Sequence, residues 1–172
     1  MHKLVPQAQL IGVLVALSFT GTARQVEELN AAAAAQHLQI RIFNASSAPE
    51  LEAAFADMAK AGVGAVDIAA GPFFNGSRSQ LVALSARYSL PSMFGTRQFA
   101  EAGGLIAYGA SVEEGYRQLG VYAGRILKGE KPGDLPVVQP SKFDLVINRK
   151  TARSLGIEIP PTLLATADEV ID

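Results

Sequence analysis

Short apolar runs alternate along the chain with stretches in which apolar residues recur every three or four positions. The runs are Leu10 to Val15, Gln39 to Phe43, Ala65 to Ala69, Ser92 to Gly95, Leu105 to Tyr108 and Phe143 to Ile147. Runs this short and apolar suit strands buried on both faces of a parallel sheet. Between them, Val26, Leu29 and Ala33 share one helical face, as do Leu51, Ala54, Phe55, Met58 and Ala59. Leu81, Leu84 and Tyr88 mark another such face, and Val112, Tyr116, Leu119, Ala123, Ile126 and Leu127 a longer one. Sustained strand–helix alternation predicts the α/β class: a three-layer sandwich with a mostly parallel sheet.

The punctuation agrees with this pattern. Thr22 with Gln25, Ser47 with Glu50, Ser77 with Gln80 and Ser111 with Glu114 each match the spacing of a capping box. In that device two side chains satisfy free backbone amides at a helix start. Gly62 and Gly64 close the second helix, and Gly129 closes the one that begins at Val112. Gly71 and Pro72 stop the third strand, and Phe73 and Phe74 follow at once. Thr96 to Ala102 is at most a short helix, stopped by Gly103 and Gly104. Lys128 to Pro136 is a linker by composition, Asn148 caps a helix that stops at Gly156, and Pro160-Pro161 opens a short terminal segment.

Composition narrows the function classes. The length of 172 residues suits one domain, and 49% hydrophobic residues suffice for a sizeable core. Lys and Arg total 15 against 16 Asp and Glu, a balance that argues against a nucleic-acid partner. There is no cysteine, hence no disulfide framework and no thiolate metal site. The chain has no G-x-S-x-G elbow, no phosphate-binding loop and no dinucleotide fingerprint. The histidines are His2, near the amino terminus, and His37, at a helix end. No catalytic residue, metal or cofactor is expected. Met1-His2-Lys3, the apolar stretch to Phe19 and Thr20 to Ala23 outline a secretory signal. Pro6, Gln7 and Gln9 interrupt it, so Leu10 to Val15 is read as a strand. Asn44-Ala-Ser46 and Asn75-Gly-Ser77 match the glycosylation sequon but are read as turn chemistry.

In a parallel sheet, the turns that follow the strands gather along one edge, where ligands bind. Here these turns carry Ser18, then Phe73, Phe74 and Asn75, then Thr96 and Arg97, then Tyr108 and Ser111. Rings, neutral hydrogen-bonding groups and one cation suit a small polar or zwitterionic molecule with an apolar part. Each residue also has a plainer reading. The two phenylalanines would merely cover the end of the sheet. Asn75 would stabilise a turn, Arg97 would be a solvated charge, and Ser111 would be a cap.

Several segments resemble the ABC-transporter substrate-binding proteins of tryptophan/tyrosine type, in their carboxyl-terminal part. They are Leu4-Val-Pro-Gln-Ala8, Gly71-Pro-Phe-Phe-Asn75, Leu81 to Tyr88, Arg97 to Leu105, Tyr108-Gly109 and Gly124 to Pro132. The longest runs from Asp134 to Asn148, followed by Thr151-Ala152, Leu155-Gly156 and Ala167 to Ile171. The resemblance implies one lobe of a type I periplasmic-binding-protein fold, with a ligand such as an amino acid held between two lobes. It also implies an ABC permease as partner, a periplasmic or cell-envelope location and no catalysis. The Ala16 to Gly21 turn departs from the Asn- and Pro-rich turn usual in the family, which bears on Ser18. The family also implies a missing amino-terminal lobe.

In such a fold the helix 112–128 would belong to the other lobe. Its apolar face is therefore expected to be exposed, folded back, or buried in a homodimer. A second reading, of a different class, is a stand-alone flavodoxin-like regulatory or protein-interaction module that uses this helix as its interface.

Overall fold

The computed structural model describes residues 4–172. The Met1-His2-Lys3 start of the signal-like outline, His2 included, lies outside the described residues. The strands are β1 (Leu10–Val15), β2 (Gln39–Asn44), β3 (Ala65–Ile68), β4 (Ser92–Phe94), β5 (Ile106–Ala110), β6 (Phe143–Asn148) and β7 (Glu169–Ile171). The helices are α1 (Thr22–Ala35), α2 (Ala48–Lys60), α3 (Pro72–Gly76), α4 (Arg78–Arg87), α5 (Arg97–Glu101), α6 (Val112–Leu127), α7 (Arg149–Ser154) and α8 (Pro161–Leu164). A 3-10 turn, Pro132–Asp134, lies in the linker after α6.

One seven-stranded sheet runs β2-β1-β3-β4-β5-β6-β7. The first five strands are mutually parallel, β6 pairs antiparallel with β5, and β7 pairs parallel with β6. This is the expected α/β class with a mostly parallel sheet. Strand alternation divides the core. Along β3, Val66 and Ile68 enter a large cluster with Phe43, Phe55, Phe74 and Phe94, whereas Ala65 joins a smaller one with Leu4, Val5, Leu105 and Ile147. The large cluster is closed by α2 and α4, whose Leu51, Phe55, Met58 and Leu81 are all fully buried. Burying each such side chain contributes roughly 1.5–3 kcal/mol.

The capping devices work differently from the sequence expectation. Gly21, not Thr22, is the N-cap of α1, and the Thr22 hydroxyl donates to the Ala16 carbonyl at 2.5 Å. Ser77 and Ser111 occupy cap positions without a side-chain capping bond. At α2 the acid does the work. Glu50 accepts from the Ser46 amide at 2.9 Å and from the Ser47 hydroxyl at 2.7 Å. Those two bonds, the hydroxyl's first, hold its carboxyl below the usual glutamate range. Asn148 is a working cap, accepting from the Thr151 amide at 2.9 Å. Two short elements, α3 and β7, have no counterpart in the hydrophobic pattern.

The helix α6 stands apart. None of its residues is buried, and Tyr116, Leu119 and Leu127 are 71%, 63% and 88% exposed. The Tyr122 hydroxyl donates to the Pro136 carbonyl at 2.6 Å, so the returning linker lies along the helix.

Candidate functional site

The carboxyl ends of β1, β3, β4 and β5 share one edge because these strands are parallel. Antiparallel β6 begins at the same edge, with Phe143 paired to Ala110. Here the turns gather into a rim. After β1, the Leu17 amide donates to Asn44 Oδ1 at 2.8 Å, and the Ser18 hydroxyl meets that of Ser46 at 3.2 Å. Ser18 is thus exposed, and its partner is the neighbouring turn after β2. After β3, Gly71 is extended and Pro72 opens α3, which turns the two phenylalanine rings in different directions. Phe74 is 1% exposed and packs in the large cluster. This corrects the expectation that it contacts a ligand: its ring anchors the turn from beneath. Phe73 is half-buried beside it, with ring centroids 5.4 Å apart, and Asn75 is exposed.

After β4, Thr96 is the half-buried N-cap of α5. Arg97 is neither a solvated charge nor a free cation. Its guanidinium bonds Glu101 at 3.0 Å and Glu169 at 2.5 Å, and approaches Glu113 at 3.6 Å. One side chain thereby ties α5 to β7 and to the first turn of α6. The hydrogen bond to Glu101, and then the charge of Glu169, raise its pKa further above the usual arginine value.

The close approach of β4 and β5 depends on a glycine. A Cβ on Gly109 would lie 1.9 Å from the Gly95 carbonyl oxygen, so no side chain fits there. Tyr108, 49% exposed, stacks on Phe143 with centroids 5.8 Å apart. Ser111 is buried, and its amide donates to the Lys142 carbonyl at 3.0 Å.

Two hollows adjoin this rim. A cleft of about 410 Å³ lies between α1 and the sheet, lined by Gln25, Leu29, Asp67, Met93, Gly95 and Tyr108. Gln25 fixes its mouth by donating to the Ala70 carbonyl at 2.9 Å. A second hollow of about 260 Å³ lies between α6 and the returning linker and contains Ser111, Leu119, Tyr122 and Val138. The structure therefore places Tyr108 with the first cleft and Ser111 with the second, and Ser18, Asn75 and Phe73 on the rim outside both.

Three residues escape the sequence reading. Asp67 is the one carboxylate inside the apolar run of β3, and that isolation was its signal. Burial pushes its carboxyl up to about 6. Phe143 reaches the rim only because β6 runs backwards. Arg78, next to the Ser77 cap, has a buried Nε with no hydrogen-bond partner. No group of three or more potential metal ligands occurs among the described residues.

The family model described as ABC transporter substrate binding protein matches residues 1–171. No curated protein matches the chain. Among solved structures, a domain in complex with L-Trp from Streptococcus pneumoniae is 29% identical, with a TM-score of 0.90 over 99% of this chain and 57% of its own. A conserved domain protein from Vibrio cholerae is 22% identical, with a TM-score of 0.89 over 98% of this chain and 57% of its own. A substrate-binding protein with adhesive properties from Clostridium difficile, in a ligand-free, open form, is 20% identical with a TM-score of 0.69. The latter two likenesses concern the fold. The chain spans a little over half the length of each of these proteins.

Proposed function

The chain belongs to the ABC transporter substrate binding protein family, and from that premise we propose that it is the solute-binding component, or one lobe of it, of an ABC importer. A small molecule such as an amino acid is held at the carboxyl edge of the sheet, between this body and a second lobe. The observation that carries this reading is α6: a sixteen-residue amphipathic helix that leaves the rim directly after β5 and buries none of its residues on this chain. An apolar face of that size calls for a partner surface. The partner that fits is the missing amino-terminal lobe, with the ABC permease recognising the closed pair. The L-Trp bound to the streptococcal neighbour supports an amino acid as the class of solute. Export to the periplasm or cell envelope follows from the same membership, and no catalytic step is assigned.

In this mechanism both lobes contribute contacts, and closure on the solute selects the state the permease reads. A lone half-cleft therefore binds weakly. Titration calorimetry of this chain with aromatic and aliphatic amino acids should give millimolar affinity or no heat. Submicromolar binding by the chain alone would refute the two-lobed reading. The alternative of a stand-alone flavodoxin-like module shares the order β2-β1-β3-β4-β5, but the solved neighbours match the same fold over nearly the whole chain, so the two readings part on the fate of α6. A stable dimer that buries α6 would support that alternative.

A further inference from the structure

We propose that the cleft between α1 and the sheet is a binding site for a protonated organic amine that carries no carboxylate, with Asp67 as the group that recognises it. The site lies within this body, so it is independent of the solute held between two lobes.

The floor of the cleft follows from strand register. Asp67 pairs with Met93, and Met93 with Ile106. Tyr108 lies two residues beyond Ile106, so Asp67, Met93 and Tyr108 share one face of the sheet. The strand β2 lies to one side of β1, and β3, β4 and β5 lie to the other. Right-handed crossovers then put α1 on the Asp67 face and α2, α4 and α5 on the opposite one. The opposite face is packed by the large cluster. On the Asp67 face, Leu4 and Val5 pack with Ala65 and Ile106, toward the amino ends of the strands. Toward the carboxyl ends, α1 supplies a wall of Gln25, Glu28 and Leu29. The chain leaves β5 as α6, which buries none of its residues. The result is an open volume of about 410 Å³, within the size range of small-molecule sites.

Chemically, the cleft is a lone anion in apolar surroundings. Leu29, Met93 and the half-exposed Tyr108 ring supply the apolar surface, and stacking on Phe143 steadies that ring. The titratable groups that line the cleft are Glu28, Asp67 and Tyr108, with no Lys or Arg among the described lining residues. Glu28 is exposed and already bonds Arg24 at 2.8 Å. No described residue donates a hydrogen bond to the Asp67 carboxylate or pairs with it. Burial is the leading influence on that carboxyl, and the charge of the amino terminus offsets it only in part. A carboxylate so placed gains most from a cation that brings its own donors. A metal ion fits poorly, since no group of three potential ligands occurs among the described residues. An alkylammonium fits: its charge meets Asp67, and its apolar part meets Leu29, Met93 and the face of Tyr108. A carboxylate on the same molecule would face Asp67 as a like charge.

The test titrates the intact chain with three probes at pH 8 and pH 5. Tryptamine carries an amine, indolepropionate a carboxylate in its place, and L-tryptophan both. Binding is read by calorimetry. The state of Asp67 is read from its carboxyl carbon NMR signal, identified by its loss in Asp67→Asn. Tryptamine should bind saturably at pH 8 and move the Asp67 titration to lower pH. Its affinity should fall roughly tenfold at pH 5, where Asp67 is protonated and the amine remains charged. Indolepropionate should give no saturable heat, and L-tryptophan should bind at least about tenfold more weakly than tryptamine. Asp67→Asn should lose about tenfold or more in tryptamine affinity, yet melt no lower than the parent at pH 8. If that variant fails to fold, the pH dependence of the parent decides alone. Equal binding of tryptamine and indolepropionate would overturn the proposal, leaving an apolar cleft indifferent to charge. Undiminished tryptamine affinity in Asp67→Asn, or no saturable response to tryptamine at pH 8, would overturn it as well. None of these failures touches the two-lobed reading, which falls instead on a stable dimer that buries α6.

Discussion

The helices α2 and α6 carry the same apolar spacing and meet opposite fates. In α2 the residues Leu51, Ala54, Phe55 and Met58 are all buried against the sheet. In α6 the equivalent positions Tyr116, Leu119 and Leu127 face solvent, and the acids of its first turn, Glu113 and Glu114, pair with Arg97 and Arg117. An amphipathic stripe therefore specifies that a surface will be covered, not by what. For α2 the cover is this sheet. For α6 no such cover is found among the described residues, and the proposed second lobe would supply it. The cleft over Asp67 is a smaller instance of the same contrast, a sheet surface left open beside one that is packed.

Three substitutions probe that contrast. Phe55→Ala should give the largest effect, about 3–5 kcal/mol of lost stability in denaturant unfolding, because its ring is fully buried among large neighbours. A loss below about 1 kcal/mol would mean that the α2 side of the sheet is as loosely covered as α6.

Next comes Asp67. Its folded carboxyl titrates near 6, above its ordinary value near 4. The folded state thus binds the proton more tightly than the unfolded state does. The contribution of Asp67 to stability is fully present below about pH 4, falls as pH rises through 6, and is then lower by on the order of 3 kcal/mol. Asp67→Asn should remove that slope and leave the chain more stable than the parent at pH 8, as read by melting between pH 4 and 8. An unchanged slope would show that Asp67 is solvated and that the surface over β3 is not a low-dielectric cleft.

Smallest of the three is Leu119→Lys. Its side chain is 63% exposed, so the stability of the lone chain should change by no more than about 0.5 kcal/mol. Sedimentation velocity should show the same oligomeric state before and after the change. A dimer that dissociates on substitution would reassign α6 to a contact between copies.

Much of the architecture was legible because it rests on periodicity, which is local. The alternation of Leu10–Val15, Gln39–Asn44 and Ala65–Ile68 with the helices between them needs no distant information. The exposed face of α6 is one of the three outcomes that the resemblance left open, beside folding back and burial in a homodimer. What escaped depends on contacts far apart in sequence or on geometry within one turn. Nothing near Arg97 reveals that Glu169, seventy-two residues away, will bond it. Adjacent Phe73 and Phe74 look alike until α3 forms and sends one ring into the core. Thr22 matches a cap by spacing, yet its hydroxyl finds the Ala16 carbonyl instead, so the helix start shifts by one residue. The strand β7 is three residues long and begins with a charge, too short for any pattern to show.

The claim that this body is half of a clamp is tested most directly by amide hydrogen exchange along α2 and α6 of the lone chain. An isolated helix of this length is marginal in water, and a helix without tertiary cover opens locally at little cost. The amides of Val112–Leu127 should therefore exchange orders of magnitude faster than those of Leu51–Met58, which should open only with global unfolding. Equal protection of the two helices would show that α6 already has its partner on this chain, and the case for a second lobe would lose its physical footing.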